Sequence, residues 1–292
     1  MSFELVFQQA LNGLSFGALL FILASGLSLV FGMMDVVNLA HGAFYMLGAY
    51  VALSVVQLTG SFWLAMIAAP LALALLGLVI EPLLLRRLRG RHLDQVLVTI
   101  GASLVIVDII GQLWGREVRS LSAPSGLDGS VALIGGVYPV YRLFVIAFGV
   151  ALAVAMSVVY RRTKVGMLIR AGVEDAEMLG ALGVNTNRLF ASTFATGAAL
   201  AGLAGVIAAP VFGVQPGMDT DPGLLYSLVV VVVGGLGTLN GAVAGSLLVG
   251  PADTFGKVLF QDVALAVIFA IVALVLLLKP TGLLGRELVK RV

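Results

Sequence analysis

Residues 161–188 read RRTKVGMLIRAGVEDAEMLGALGVNTNR, from Arg161 to Arg188. The chain on either side, residues 138–160 and 189–212, is almost continuously apolar. A link that only reversed the chain direction would be shorter, since helix–helix connections commonly run about 2–8 residues. Five basic residues, Arg161, Arg162, Lys164, Arg170 and Arg188, mark this long polar insertion as one side of a membrane protein. Within it, residues 174–182 predict a short helix. Glu174, Asp175 and Glu177 fall in its first turn, where they complement the positive helix end. Met178, Leu179 and Leu182 share a face at helical spacing. Gly183 stands where a left-handed residue stops a helix, and Asn185 or Asn187 caps the next one. Two readings fit this pattern: a docking surface for another protein, or a capped hairpin on the membrane surface with no partner.

Composition settles the broad class. Of 292 residues, 60 % are hydrophobic and 11 % charged, and mean hydropathy is +1.11. No soluble domain of this length needs so much apolar surface, so the chain reads as a polytopic membrane protein, all-α. The net charge of +2 does not indicate nucleic-acid binding, because the basic residues are confined to loops. With no cysteine, disulfides, thiolate metal sites and thiol nucleophiles are excluded. The N-terminus lacks the basic start of a cleaved signal peptide.

A bilayer crossing takes about 20 apolar residues. Runs of that kind occupy residues 5–31, 36–58, 62–85, 96–114, 138–160 and 189–212. Residues 222–236, 239–258 and 263–278 are harder to divide: three crossings give nine spans, and a re-entrant first piece gives eight. The expected fold is therefore one transmembrane domain over residues 1–292, a bundle of about 8–9 spans with at least one broken or re-entrant helix. Basic residues cluster after the third span (Arg86, Arg87, Arg89, Arg91), in 161–188, and after the last span (Lys279, Arg286, Lys290, Arg291); together these are 13 of the chain's 17. The positive-inside rule puts all three segments, the C-terminus included, in the cytoplasm and the N-terminus outside. Gly13 and Gly17, Gly111 and Gly115, Gly241 and Gly245, and the run 197–205 have spacings that let helices pack closely.

Sites for chemistry are mostly missing. The glycines of 234–241 lack the Lys-Ser/Thr of a phosphate loop, and two histidines, His41 and His92, do not make a metal site. An intramembrane enzyme would bring several ionisable residues together; Asp35, Glu81 and Asp108 lie on three different segments. The most polar membrane stretch runs from Asn38 through His41 and Gly42 to Tyr50. Polar groups at that depth are hydrogen-bonded or line water. His41 reads either as a helix-to-helix hydrogen bonder or as part of a broken helix lining a pathway, and Asp108 either as a paired structural acid or as a lining of the same path.

Asn38-Leu39-Ala40-His41-Gly42, followed by Leu47-Gly48-Ala49-Tyr50, resembles the signature of branched-chain amino acid ABC transporter permeases of the LivH type. Asn12-Gly13-Leu14, the loop 181–188, the glycine-rich 233–242 and Lys279-Pro280-Thr281-Gly282-Leu283-Leu284-Gly285 agree in matching order, so the resemblance spans nearly the whole chain. One departure is Lys279, where the family commonly has arginine; the charge is kept. The resemblance implies an importer permease of the bacterial inner membrane, not an enzyme, passing branched-chain amino acids. Its implied partners are a second homologous permease, two cytoplasmic ATPases that use the ATP, an external binding protein and membrane lipid. This chain would bind neither cofactor nor metal nor nucleic acid. Asn38, His41, Gly42 and Asp108 are the pathway candidates. Glu174, Asp175, Glu177, Met178, Leu179, Leu182 and Gly183 are the coupling candidates, within a cytoplasmic coupling loop 161–188. Rival readings are a like permease for urea or short amides and an ion-coupled secondary transporter; the latter would show paired intramembrane carboxylates or an inverted repeat.

Overall fold

The computed structural model of the chain describes residues 2–35, 37–134, 136–259 and 263–285; Arg286, Lys290 and Arg291 lie outside them. The first helix, α1 (Phe3–Met34), is started by the Ser2 hydroxyl, which accepts the Leu5 N–H. It stops where Asp35 turns left-handed at φ 52° and donates its N–H to the Phe31 carbonyl. The chain then doubles back, because α2 (His41–Thr59) begins beside the middle of α1, with His41 Nε2 2.9 Å from the Leu23 carbonyl. Next come α3 (Phe62–Ile80), extended by a π-helical turn (Glu81–Leu85) and a 3-10 turn (Arg86–Leu88), then α4 (His92–Trp114). A small antiparallel hairpin, β1 (Ser130–Leu133) and β2 (Gly136–Pro139), leads into α5 (Val140–Arg162). After the polar insertion come α8 (Thr186–Phe212), a π-helical turn (Asp219–Leu224), α9 (Leu225–Gly234), α10 (Leu239–Leu259) and α11 (Ala264–Leu278).

Among the described residues, six helices are long and apolar enough to cross a bilayer, and the pair Asp219–Gly234 and Leu239–Leu259, bent by 114°, makes a seventh. The number is below the 8–9 expected, and the difference lies at the end of the chain. Residues 219–259 form one broken pair rather than two independent crossings, as the expected broken helix requires. The 15 described residues of α11 are fewer than the roughly 20 of a usual crossing, so α11 is not in this count.

Three helices, α1, α2 and α8, carry most of the buried side chains, and small residues let them approach. A Cβ on Gly13 would stand 2.6 Å from Pro251 Cα, and one on Gly17 2.8 Å from the Ser246 carbonyl, so this glycine pair seats α1 on α10. Gly245 does the same for α10 on α9, with Val230 O 2.3 Å from its missing Cβ. The spacing at Gly111 and Gly115 has no such use: Gly115 faces open space.

The basic segments gather at one end of the bundle. Glu81, fully buried, receives both Arg86 and Arg89, which supplies partners that the sequence did not reveal. Arg89 also donates to Asn187 Oδ1 at 2.6 Å and lies 4.1 Å above the Phe190 ring, tying the end of α3 to the start of α8. Arg161 reaches Asn240 Oδ1 at 3.3 Å, across to the break between α9 and α10.

Two helices fill the polar insertion where one was expected. The first, α6 (Lys164–Glu174), is capped by Thr163, whose hydroxyl accepts the Gly166 N–H. Its apolar face lies against the end of α1, and Gly172 leaves room for the Met33 side chain. The second, α7 (Ala176–Ala181), is shorter than the predicted 174–182. Glu174 closes α6 instead of opening α7, and Asp175 is the N-cap, its Oδ1 accepting the Met178 N–H at 2.8 Å. Gly183 stands at φ +87°, as a left-handed stop requires. Asn185 caps α8 by accepting the Arg188 N–H.

Candidate functional site

The start of α2 is built by Asn38. Its side-chain oxygen accepts the Ala40 N–H at 3.1 Å and its carbonyl the His41 N–H at 3.2 Å, a local turn that Asn favours. Asn38 is 2 % exposed. Leu39 N–H donates to Thr99 Oγ1, fixing the turn to α4. His41, 0 % exposed, donates through Nε2 to the Leu23 carbonyl; a carbonyl can only accept, so Nε2 carries the proton. Its Nδ1 has no hydrogen-bond partner among the described residues.

Gly42 is the contact point of two broken stretches. A Cβ there would sit 1.9 Å from the Asp219 carbonyl oxygen and 3.0 Å from Leu224 Cβ. Gly223 approaches from the other side, its missing Cβ 3.5 Å from Gly42 Cα and 3.1 Å from the Tyr45 ring. So α2 and the Asp219–Gly234 stretch start against each other inside the bundle, one following α1 and the other following α8. Both present helix N-termini, the partly positive ends, toward this junction, and Asp219 and Asp221 stand in the first turn of the second.

Two cavities lie at opposite ends of the bundle. The larger, about 920 Å³, is at the basic end and is lined by Asp35, Arg161, Arg170, Thr238, Asn240 and Thr281 among others. The smaller, about 240 Å³, is lined by Asn12, Arg142, Asp253 and Lys257. Asp253 is held by the Tyr226 hydroxyl and by Lys257, both at 2.7 Å. Neither cavity is lined by Asn38, His41 or Gly42; the junction is packed.

Three of the four pathway candidates, Asn38, His41 and Gly42, therefore share one site. Asp108 does not join them. Its side chain is 58 % exposed on the outward face of α4, where Gln112 Nε2 donates to it at 2.6 Å and Arg116 stands 3.9 Å away. The coupling candidates also separate. Leu179 is 6 % exposed and packs on Met33 and Leu189 of its own chain, whereas Met178 and Leu182 are 59 % and 75 % exposed. Leu179 anchors α7, and the other two face outward. Sequence reading missed the Asp219–Gly223 half of the junction. The signal was there in Gly217-Met218-Asp219-Thr220-Asp221-Pro222-Gly223, a polar, glycine-rich stretch entering an apolar run.

Because His41 is packed rather than cavity-lining, His41→Leu should lower membrane yield and transport together, by the roughly 1–2 kcal/mol of a buried hydrogen bond left unmade. His41→Gln, which keeps a donor, should recover part of both; fluorescence-detected size exclusion and uptake measured on the same membranes check this. Uptake lost at full yield would instead give His41 a direct part in transport.

A family model described as "Branched-chain amino acid transport system / permease component" matches residues 9–278. The high-affinity branched-chain amino acid transport system permease protein BraD of Pseudomonas aeruginosa is 33 % identical over 304 residues, covering 98 % of this chain and 97 % of BraD. LivH of Escherichia coli K12, named as a permease of the same system, is 31 % identical over 308 residues, with the same coverage of both chains. LivM of that organism is 28 % identical over 287 residues, 90 % of this chain and 67 % of LivM. No solved structure matches the chain. The chain belongs to the family of branched-chain amino acid transport system permease components.

Proposed function

We propose that this chain is a membrane-spanning permease of an ATP-binding-cassette importer, passing branched-chain amino acids from an external binding protein to the cytoplasm. The observation that carries this reading is the likeness to BraD and LivH along both full lengths. The geometry supports it. Two half-helices that start against each other inside the bundle, at Gly42 and Asp219, are the broken-helix arrangement found at transport sites. The chain carries no phosphate loop, so the energy comes from partner subunits: two cytoplasmic ATPases, with a second homologous permease completing the membrane part. The basic end, by the positive-inside rule, is cytoplasmic. There α7 presents Met178 and Leu182 to an ATPase.

The test is uptake of labelled leucine, isoleucine and valine into cells carrying the chain with its neighbouring subunits, against cells in which this chain alone is deleted. Loss of all three on deletion supports the reading, and unchanged uptake of all three refutes it. Orientation has its own expected result. A single cysteine at position 125 should react with an impermeant thiol reagent in intact cells, and one at position 170 only after permeabilisation. The reverse pattern would overturn the orientation.

A further inference from the structure

Two charged residues of α10 line the smaller cavity, and their exposures are opposite. The side chain of Asp253 is 4 % exposed and that of Lys257 59 %. The carboxylate is held from two sides, by the Tyr226 hydroxyl and by the Lys257 ammonium, each at 2.7 Å. That ammonium also lies 5.6 Å from the centre of the Phe16 ring and 5.9 Å from that of Tyr226. A carboxylate flanked by two aromatic rings is a seat for an ammonium group. Its occupant here is a lysine, a compact charge on a flexible stem, reaching in from the exposed side. Across the same cavity the charge problem is reversed. Arg142 lines it too and donates to the Asn12 side-chain oxygen, yet among the described residues it has no acidic partner. A guanidinium carries its N–H donors in a fork that fits a carboxylate. Arg142 and Lys257 against Asp253 alone leave the cavity wall one anion short. Leu19, Val211 and Phe212 add an apolar wall, and the volume of about 240 Å³ is below the roughly 300–1,000 Å³ of sites for drug-sized molecules.

We propose that the smaller cavity binds an aliphatic α-amino acid as its zwitterion: Arg142 takes the carboxylate, the seat formed by Asp253 and the Phe16 and Tyr226 rings takes the α-ammonium once Lys257 swings out, and the apolar wall covers the side chain. The inference rests on the reading of this chain as an amino acid permease and gives that reading a site. Lys257 is then a tethered stand-in for the ligand's ammonium. It keeps Asp253 from being buried unpaired while the cavity is empty, and binding displaces it. Charge balances in the exchange: one ammonium replaces another on Asp253, and the incoming carboxylate is the anion that Arg142 lacks. Urea and short amides carry neither charge, so a site built to pair both rejects them. The place in the fold suits transport. Tyr226, which holds Asp253, stands three residues beyond Gly223, on the half-helix that starts against Gly42. Ionisable side chains within membrane helices mark substrate paths.

The test uses the cysteine-free chain carrying Val258→Cys, a position on the cavity wall and 41 % exposed, in washed membranes that hold the assembled transporter. The rate of alkylation at this position is followed with leucine, with 3-methylbutylamine, which lacks the carboxylate, and with 4-methyl-2-oxopentanoate, which lacks the ammonium. Leucine should slow the reaction about tenfold, and either analogue at the same concentration less than about twofold. Lys257→Met should lower the leucine concentration for half protection about tenfold, because the internal rival is gone; a purely structural ion pair gives no such gain. Arg142→Gln should erase the advantage of leucine over the amine. Equal protection by leucine and the amine in the parent protein would overturn the proposal, and so would no gain in Lys257→Met at normal membrane yield. If that variant is lost from the membrane, the three compounds on the parent protein decide alone. Leucine uptake that depends on this chain, without protection by leucine, would sink this inference alone; uptake that does not depend on the chain would sink the transport reading instead.

Discussion

Gly42→Ala is expected to reduce leucine uptake by about tenfold or more, through about 3 kcal/mol of overpacking at the junction. The added methyl would stand 1.9 Å from a backbone oxygen, that of Asp219, which cannot swing aside as a side-chain tip can. Either α2 shifts along α1, which pulls His41 from the Leu23 carbonyl, or the Asp219–Leu224 turn moves and parts the half-helices. Both disturb the packing of the junction. Gly129→Ala is the matching control, because nothing lies within 4 Å of its missing Cβ; its uptake should equal wild type. Yield and uptake of the two variants, measured side by side, decide the matter. Wild-type uptake in Gly42→Ala would mean that the junction is loose enough to absorb a methyl group, and its place in the transport path would fall with it.

Much of the bundle was legible because bilayer physics acts on composition. Runs of apolar residues near 20 long gave α1, α3, α4, α5 and α8 with ends within five residues, and glycine spacing marked Gly13 and Gly17 for close packing without telling that their partner is α10. The breaks were half legible. Asn38 and His41 were too polar for an ordinary span, which marked the entry to α2. Asp219 and Gly223 went unpaired with them, because a contact between residues about 180 apart leaves no trace in local pattern. For the same reason Asp108 was grouped with Asn38 and His41: all are polar and intramembrane, and only the fold tells inward from outward. The pairing of Glu81 with the two arginines that follow within eight residues was not legible, since a π-helical turn rotates the face on which a side chain emerges and defeats a count by 3.6. In the polar insertion, the glycine stop and the asparagine cap were read correctly because caps are local chemistry. The missed helix α6 has two glycines within its 11 residues, which weaken helix propensity. Its stability comes from packing on Met33 and Leu189, which is tertiary and hence silent in sequence.

The burial of Leu179 reverses what two substitutions in α7 should do. As one face of three apolar residues, Met178, Leu179 and Leu182 would all serve docking. With Leu179 packed on Met33 and Leu189, Leu179→Asp should instead detach α7 from its own chain, by about 3 kcal/mol for a polar group left unpaired in an apolar site, and lower membrane yield. The double variant Met178→Asp with Leu182→Asp should do the opposite. Both side chains already face outward, so folding and yield should hold. An ATPase groove that accepts them would have to desolvate two carboxylates, and co-purification of the ATPase should fall at least tenfold, with substrate-stimulated ATP hydrolysis lost alongside. A six-residue helix is too short to persist in water unaided, so α7 owes its shape to Asp175, Gly183 and the Leu179 anchor, which together hold two apolar side chains outward on a rigid mount. Normal ATPase association in the double variant would leave α7 as a cap on the bundle, and the force of ATP hydrolysis would have to enter through α6 or the end of α3.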